Sequence, residues 1–360
     1  MLASTVILNS KRVEQAIDGD RTGAFIKDIV LARPKGPNGK RPDVPLAIVR
    51  KRPADEPTIG SVLMVHGYGQ NRYAWHLPSR SFVNHLASVG FDVFNLDLRG
   101  HGRSRHLGAH PPKDLSEYVR EDIPAAVDSV QRLSGHDRVF LMGHSLGGLI
   151  CYAAAPTLED AVAGVVTLAS PYHFTRGSRF LSALGTAMLT VDRTLKLGND
   201  ALPLKDAGEL MRLFRVFIDS PVFPLPIRGY APKSLEPRVL GQHMSLAMDR
   251  GSIAVMRSMF LRAAEARASG HRLGVLYGYA SAFEKLEDLP LLIVAGSEDG
   301  LAPPEAVRPA YERSGSCDKT YRVFPRGHID ILVGRDAPLT IWPLVGGWLA
   351  ERSGAPSAAA

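Results

Sequence analysis

A mainly parallel α/β sheet with helices on both of its faces is the fold class that the sequence predicts. Short apolar runs typical of buried strands alternate along the chain with amphipathic stretches that have helical spacing. The clearest run, 61–66, is apolar almost throughout and is followed by Gly67, as expected for a central buried strand. The alternation stops between Ser170 and Asp288 and then resumes. We therefore expect one sheet domain that is interrupted by a helical insertion.

Each element of the alternation has its own local signal. Strands are predicted over residues 24–31, 44–49, 61–66, 91–98, 139–142, 162–168, 289–294 and 321–324. A helix with an apolar stripe over 82–87 is stopped by Gly90, and a second one opens at 122–124 and is closed by Gly135. Further helices are predicted over 146–155, ending before Pro156, after Pro304, and over 342–349.

The interval without strands is expected to form a helical cap, or lid, over the sheet. On this division residues 1–169 and 289–353 form the core, 170–288 the cap, and 354–360 a disordered tail. The cap contains two amphipathic segments, one with Met211 and Phe214 and one with Met256 and Phe260. These side chains either line an acyl pocket or pack the cap onto the core, and both interpretations stay open.

The composition is that of an ordinary globular protein and excludes several classes. The chain has 360 residues, 45% of them hydrophobic and 22% charged, which excludes a disordered chain. Its two cysteines exclude a disulfide scaffold and a thiolate metal cluster. The net charge of +7 comes from scattered basic residues, so no nucleic-acid partner is expected. We also expect no integral membrane segment, no secretory signal, a cytoplasmic location, and no cofactor or metal, because the corresponding sequence patterns do not occur.

The segment Gly143-His144-Ser145-Leu146-Gly147 fits the pattern G-x-S-x-G and lies between a predicted strand and a predicted helix. Its glycines allow a sharp turn that leaves the serine hydroxyl exposed above the sheet. The N-terminus of the following helix favours developing negative charge there. The sequence thus predicts Ser145 as a nucleophile, and the alternative is a glycine-rich turn with an incidental serine.

A serine hydroxyl needs a base, and the base needs an orienting acid. His328 follows the last predicted strand and is the candidate base. Asp299 follows the strand before it and is the preferred acid, with Glu298 as the fallback and Asp330 as a competitor. Asp97 also follows a strand but precedes Ser145, so it is interpreted as structural.

Backbone donors for an oxyanion are expected from the loop after the central strand and from the start of the helix after the nucleophile. The candidates are the N–H groups of Tyr68 and Leu146. The side chains of Tyr68, Trp75 and Tyr172 follow strand ends on this side of the sheet and are candidates to flank the pocket. His66 and His144 are interpreted as structural.

Together these motifs resemble the serine hydrolases of the α/β-hydrolase superfamily. The matching segments, within residues 61–349, are H-G-Y-G at 66–69, D-L-R-G-H-G-R-S at 97–104, G-H-S-L-G-G at 143–148, G-S-E-D at 296–299 and G-H-I-D at 327–330. Two further segments, 122–126 and 328–338, are similar to parts of the acid (gastric and lysosomal) lipases, with Leu146 where those lipases carry Gln. The resemblance implies the α/β-hydrolase fold and hydrolysis of carboxylic esters through an acyl-enzyme.

The expected partner is a small-molecule ester. Its acyl group is expected to be hydrophobic if the cap lines a pocket. The sequence does not indicate the oligomeric state. The same residues, Ser145, Asp299 and His328, would also serve a thioesterase, a lactonase, an acyltransferase or a cofactor-free peroxidase. A non-catalytic binding protein on the hydrolase fold is the alternative from another class. An Asp nucleophile would indicate a dehalogenase or epoxide hydrolase and a Cys a polyester synthase, and Ser145 argues against both.

Overall fold

The computed structural model describes residues 3–34, 44–195, 201–202, 204–213, 229–270 and 279–353. Its strands are β1 (Ala3–Asp18), β2 (Arg21–Pro34), β3 (Leu46–Pro53), β4 (Gly60–Val65), β5 (Phe91–Asp97), β6 (Val139–His144), β7 (Val162–Leu168), β8 (Ala201–Leu202), β9 (Gly251–Ser252), β10 (Leu291–Gly296) and β11 (Lys319–Phe324). Within these ranges β8 pairs with β9, and the other strands form one sheet in the order β1-β2-β3-β5-β4-β6-β7-β10-β11. From β5 to β11 all neighbours are parallel, so the predicted mainly parallel sheet is confirmed.

Helices cover both faces of this sheet, as predicted. Those with at least one full turn are α1 (Phe82–Ser88), α2 (Gly102–His106), α3 (Ile123–Ser134), α4 (Leu146–Leu158), α5 (Arg179–Leu195), α6 (Leu204–Leu213), α7 (Pro237–Gln242), α8 (Ile253–Ala268), α9 (Ala280–Phe283), α10 (Pro304–Val307), α11 (Pro309–Arg313), α12 (Asp330–Val333) and α13 (Ile341–Arg352). One core cluster joins α3 and α4 to the sheet, and a second one joins α1 and α13 to its other face. In the described ranges no helix has both the length and the apolar composition that a bilayer crossing requires.

The N-terminal region differs from the sequence prediction. Where a short extended segment over 24–31 was expected, β1 and β2 form a long antiparallel hairpin. Strand β1 lies at the edge of the sheet, and Val6, Ile7 and Leu8 on it are about half exposed. An edge strand that is solvated on both faces need not alternate apolar and polar residues, so its sequence carries no period-2 signal.

Helix α4 is longer than predicted, because it continues through Pro156 to Leu158. Proline removes one backbone donor, and this costs least near a helix end. The hydroxyl of Thr157 donates to the Ala154 carbonyl (2.7 Å) and so satisfies one acceptor of the last turn. The predicted end of this helix, before Pro156, is therefore wrong by three residues.

The carboxyl ends of β4, β6, β7, β10 and β11 lie at one edge of the sheet, because these strands run parallel. The loops that follow β4, β6, β10 and β11 carry the predicted oxyanion donors, nucleophile, acid and base. Helices α5 to α9 lie between β7 and β10 in the chain, where the alternation of the sequence stops. The fold thus brings residues that are far apart in sequence to a single edge.

The sheet contains a fully buried lysine, Lys51. The Nζ of Lys51, on β3, donates to Asn84 Oδ1 (2.6 Å) and to the Gln15 side chain, and it lies 3.2 Å from His76 Nε2. Burial, reinforced by the charge of Lys27, lowers the pKa of Lys51 to about 6. The folded protein therefore holds this amine largely uncharged at neutral pH.

Lys51→Met is expected to flatten the dependence of stability on pH. An unfolded chain binds a proton at this lysine up to pH of about 10.4, whereas the folded chain loses it near pH 6. Between these values the unfolded state binds more protons, so the free energy of unfolding rises with pH. Urea unfolding at pH 7, 8 and 9 should show a slope smaller by about 1.3 kcal/mol per pH unit in Lys51→Met than in the wild type.

The control for this prediction is Lys11→Met, at an exposed lysine of the same hairpin. It should leave the wild-type slope unchanged. Equal slopes for the wild type and Lys51→Met would contradict the lowered pKa of Lys51. The absolute stability of Lys51→Met is not the readout, because Asn84 and Gln15 lose their donor in that variant.

Candidate active site

The turn between β6 and α4 holds Ser145 in a strained conformation. Its φ is +53°, in the left-handed region that non-glycine residues rarely adopt. Its backbone N–H donates to the Leu168 carbonyl at the end of β7 (3.1 Å), which fixes the turn against the neighbouring strand. From Val139 to Ala155, Ser145 is the one residue that is not buried. The turn therefore lifts this hydroxyl out of an otherwise closed core.

The glycines around Ser145 are required by close contacts. A Cβ at Gly143 would lie 2.3 Å from the Gly148 nitrogen, and one at Gly147 would lie 2.2 Å from the Val65 carbonyl oxygen. Both neighbours are backbone atoms, which cannot rotate away. The G-x-S-x-G pattern thus reflects the contact of α4 with β4 and β6 as well as the sharpness of the turn.

His328 and Asp299 form a buried, directed pair. His328 follows β11 and Asp299 follows β10, and His328 Nδ1 lies 2.8 Å from Asp299 Oδ2. The other carboxylate oxygen, Asp299 Oδ1, accepts hydrogen bonds from the N–H groups of Leu301 and Ala302, each at 2.8 Å. A carboxylate fixed in this way accepts a hydrogen bond from the protonated Nδ1 of the imidazole. Nε2 then carries no proton and is free to accept one.

The other candidate acids lie elsewhere. Glu298 is exposed. Asp330 is buried, its Oδ1 lies 3.4 Å from the Ala231 nitrogen, and burial raises its pKa. Asp97 is also buried and accepts hydrogen bonds from the backbone N–H (2.8 Å) and guanidinium (2.6 Å) of Arg72, which agrees with a structural role. Of these carboxylates, Asp299 is the one that the structure brings to His328.

His144, which the sequence analysis interprets as structural, contacts His328, and Gln70 and His243, which the sequence did not indicate, lie behind it. His144 Nε2 lies 2.9 Å from the His328 carbonyl oxygen, and the two rings are 4.6 Å apart. Gln70 Oε1 lies 3.2 Å from His144 Nδ1 and accepts the Gly67 N–H (3.1 Å). On the other side of Gln70 is His243, whose pKa is lowered to about 4 by burial and by the charge of His328. Neither Gln70 nor His243 belongs to a sequence motif, so only the folded chain reveals them.

The loop after β4 lies directly against the nucleophile. A Cβ at Gly67 would lie 3.1 Å from the Ser145 Cβ, and the next residue, Tyr68, lines the same cavity as the serine. Leu146, the other predicted donor, is the first residue of α4 and is buried. The Tyr68 hydroxyl donates to the Ser252 carbonyl (3.0 Å), and burial raises the pKa of this phenol.

A mostly apolar cavity of about 320 Å³ opens onto Ser145 and His328. The insertion between β7 and β10 supplies most of its apolar wall. The other lining residues are Tyr68, Gln70, Pro171, Phe174, Leu181, Leu184, Met248, Met256, Met259, Phe260, Leu301, Ala302 and Ile329. Such a lining can hold a hydrocarbon chain against the serine.

The predicted pocket residues divide into three groups. Met256 and Phe260 line the cavity. Trp75 and Tyr172, which were expected to flank it, are instead fully buried: Trp75 packs against Phe82 and His144, and the Tyr172 hydroxyl donates to Glu284 Oε1 (2.7 Å). Their large rings fill the interior beneath the strand ends. Met211 lies on α6, where its side chain is not described, and Phe214 lies outside the described residues.

Comparisons with known proteins agree with this architecture. Residues 60–200 match the family model described as alpha/beta hydrolase fold. The chain has the α/β-hydrolase fold. It resembles in fold the carboxyl esterase of Bacillus coagulans solved with glycerol, with a TM-score of 0.60, 18% identity, and coverage of 90% of this chain and 98% of that one.

Two curated relatives show which proteins are similar in sequence. The chain is 27% identical over 301 residues to the poly(3-hydroxyalkanoate) polymerase subunit PhaC of Haloferax mediterranei, a match that covers 81% of this chain and 59% of that subunit. The chain thus spans less than two thirds of the length of this relative. It is also 26% identical to Lipase member K of Homo sapiens, over 78% of this chain and 77% of the lipase.

Proposed function

We propose that this α/β-hydrolase is a serine hydrolase that cleaves carboxylic esters of hydrophobic acyl groups through an acyl-enzyme. The observation that carries the proposal is the 2.8 Å contact between His328 Nδ1 and Asp299 Oδ2, beside a strained Ser145 that opens into the same apolar cavity as His328. Nucleophile, base and orienting acid are thereby available in one place. We take residues 170–288 as the cap that closes the acyl side of this site.

The reaction proceeds in two halves. Ser145 Oγ attacks the ester carbonyl while His328 Nε2 takes its proton, and Asp299 stabilises the resulting imidazolium. The N–H groups of Tyr68 and Leu146 donate to the oxyanion, and collapse of the tetrahedral intermediate expels the alcohol, which receives the proton from His328. Water then attacks the acyl-enzyme with the same base, and the carboxylic acid leaves.

The test is a burst of p-nitrophenol from a p-nitrophenyl ester, followed by slower turnover, together with labelling by a fluorophosphonate probe. The label should map to the peptide that contains Ser145. A protein that gives no burst and is not labelled would be a non-catalytic member of the fold, and the proposal would be lost.

An acyltransferase is the second candidate, and the similarity to polymerase subunits favours it. The two activities share the acyl-enzyme and differ in the group that accepts the acyl chain, water or a hydroxyl. Acyl-enzyme formed from a 3-hydroxyacyl thioester should release free acid if the protein is a hydrolase. Ester-linked oligomers in place of free acid would identify an acyltransferase. The remaining alternatives are a thioesterase, a lactonase and a cofactor-free peroxidase. They are tested by parallel assays with simple thioesters, lactones and peroxide.

Met256→Trp is expected to shift substrate preference toward short acyl chains. Met256 lines the cavity from α8, and an indole there would occupy volume that a long chain needs. We expect kcat/KM for a long-chain p-nitrophenyl ester to fall by about tenfold or more, with little change for the acetate. The matched control is Leu261→Trp, at an exposed position of the same helix. An equal loss for both esters, or the same shift in the control, would contradict an acyl cavity at Met256.

A further inference from the structure

A second cavity, of about 400 Å³, lies between the N-terminal hairpin, β3 and the segment that follows β4. Neither Ser145 nor His328 lines it. We call it the basic cavity, because Lys27, Lys51, Arg72 and Arg103 all line it. It takes no part in the reaction proposed above.

Positive charge in the basic cavity is incompletely compensated. The pKa of Lys27 is lowered, first by burial and then by the charges of Lys11, Arg72 and Arg103, so these cations lie close enough to repel one another. Glu14 is the one carboxylate among the residues that line the cavity. The nearby Asp97 is already engaged by the guanidinium of Arg72. An anion in the cavity would relieve this repulsion.

Two of the cations have no partner of their own. Among the residues that the structure describes, neither the ammonium of Lys27 nor the guanidinium of Arg103 has a hydrogen bond or an ion pair. The side chain of Arg72, by contrast, is fixed by Asp97 and lies over the Tyr73 ring, 4.5 Å from its centroid. The cavity therefore presents two available cationic donors against one rigid wall.

Asn95 adds an acceptor to the same cavity. Its Nδ2 donates to the Arg72 carbonyl (2.9 Å), which fixes the orientation of the amide. Its Oδ1 is buried and has no hydrogen-bond partner within the described part of the chain, and the residue is 2% exposed. Buried acceptors without a donor are rare in folded proteins, so this atom calls for an O–H or N–H group from a ligand.

We propose that the basic cavity binds a small phosphate-bearing anion. The phosphate oxygens accept hydrogen bonds from Lys27 and Arg103, and the single O–H of a monoprotonated phosphate donates to Asn95 Oδ1. Sulfate has the same shape and charge but carries no proton near neutral pH, so one of its oxygens would face Asn95 Oδ1 without a hydrogen. The site should therefore discriminate between the two anions.

Isothermal titration of the full chain at low ionic strength tests the proposal. Inorganic phosphate should bind saturably at one site per chain, and sulfate should bind at least about tenfold more weakly, because an acceptor would face an acceptor. Lys27→Gln and Arg103→Gln should each weaken phosphate binding by about tenfold, the value of a charge-assisted hydrogen bond. Arg322→Gln is the matched control, since it removes an exposed positive charge on β11, at the opposite edge of the sheet.

The source of the phosphate is distinguished by further probes. At pH 5.5, below the second phosphate pKa of about 6, a phosphate monoester still carries one O–H. At this pH glycerol 3-phosphate in solution and vesicles of phosphatidylcholine mixed with phosphatidic acid offer the same group on a small molecule and on a lipid surface. Binding of glycerol 3-phosphate without binding of the vesicles supports the proposal, and thermal unfolding confirms that the variants are folded. The proposal would be overturned by binding to the vesicles alone or by the absence of saturable phosphate binding. It would also be overturned if sulfate bound as tightly as phosphate, or if Arg322→Gln weakened phosphate binding as much as Lys27→Gln and Arg103→Gln. None of these results depends on esterase activity, so this proposal and the proposed function can fail separately.

Discussion

Ser145→Ala is expected to lower kcat/KM for a p-nitrophenyl ester by about 10⁴- to 10⁶-fold and to abolish both the burst and the probe label. The variant loses the attacking oxygen and keeps the cavity and the oxyanion donors, so substrate binding should be retained. A residual rate within tenfold of the wild type would mean that another group performs the chemistry. The wild type and Ser145→Ala are compared by their rates with the same p-nitrophenyl ester, each measured with and without prior treatment with the fluorophosphonate.

Ser145→Gly separates the chemistry from the strain at the same position. Both variants lack the hydroxyl and should be equally inactive. Alanine keeps a Cβ at φ +53°, whereas glycine adopts this conformation freely. Ser145→Gly should therefore be more stable toward urea than Ser145→Ala by about 1 kcal/mol. Equal stabilities would indicate that the turn stores no strain at this residue.

The contrast between the two variants follows from how the site is built. On a relaxed turn a serine would have a negative φ. The backbone contacts at Gly143 and Gly147 and the hydrogen bond to Leu168 impose the positive φ instead. The stability of the surrounding sheet offsets this local cost, and the result is a partly exposed serine on a rigid support.

The sheet and the position of the serine could be predicted because their signals are local. A strand–turn–helix with glycines at fixed positions is specified by consecutive residues such as Gly143 and Gly147, and the buried strands have continuous apolar runs. The N-terminal hairpin lacked such a signal because β1 is an edge strand with exposed apolar side chains. The pairing of β1 depends on its neighbour β2, so the local alternation of apolar and polar residues does not predict it.

The cavity wall was harder to predict, because position at a strand end does not determine where a side chain points. Trp75 and Tyr172 follow strand ends and turn into the core, whereas Met256 and Phe260 of the insertion reach the cavity. Gln70 and His243 meet across 173 residues of chain. Contacts of this kind depend on how the insertion packs over the sheet, which periodicity in a single sequence does not encode.

Asp299→Asn is expected to lower kcat by about 10⁴-fold through the tautomer of His328. Asp299 Oδ1 accepts the N–H groups of Leu301 and Ala302, so an asparagine keeps its oxygen there and directs its NH₂ toward His328 Nδ1. The imidazole then carries its proton on Nε2, where it cannot act as a base toward Ser145. Single-turnover acylation measured across pH 6 to 9 checks this directly.

The matched controls are Asp330→Asn and Glu298→Gln. Asp330 is a buried carboxylate whose pKa is already raised by burial, so its neutral replacement should keep kcat within about tenfold. Glu298 is exposed, and its replacement should have no measurable effect on kcat. If Asp330→Asn lost as much activity as Asp299→Asn while remaining folded, the orienting role would have to be shared between the two carboxylates. Full activity in Asp299→Asn would remove Asp299 from the mechanism, because no other candidate acid is within hydrogen-bond distance of His328 in the described part of the chain.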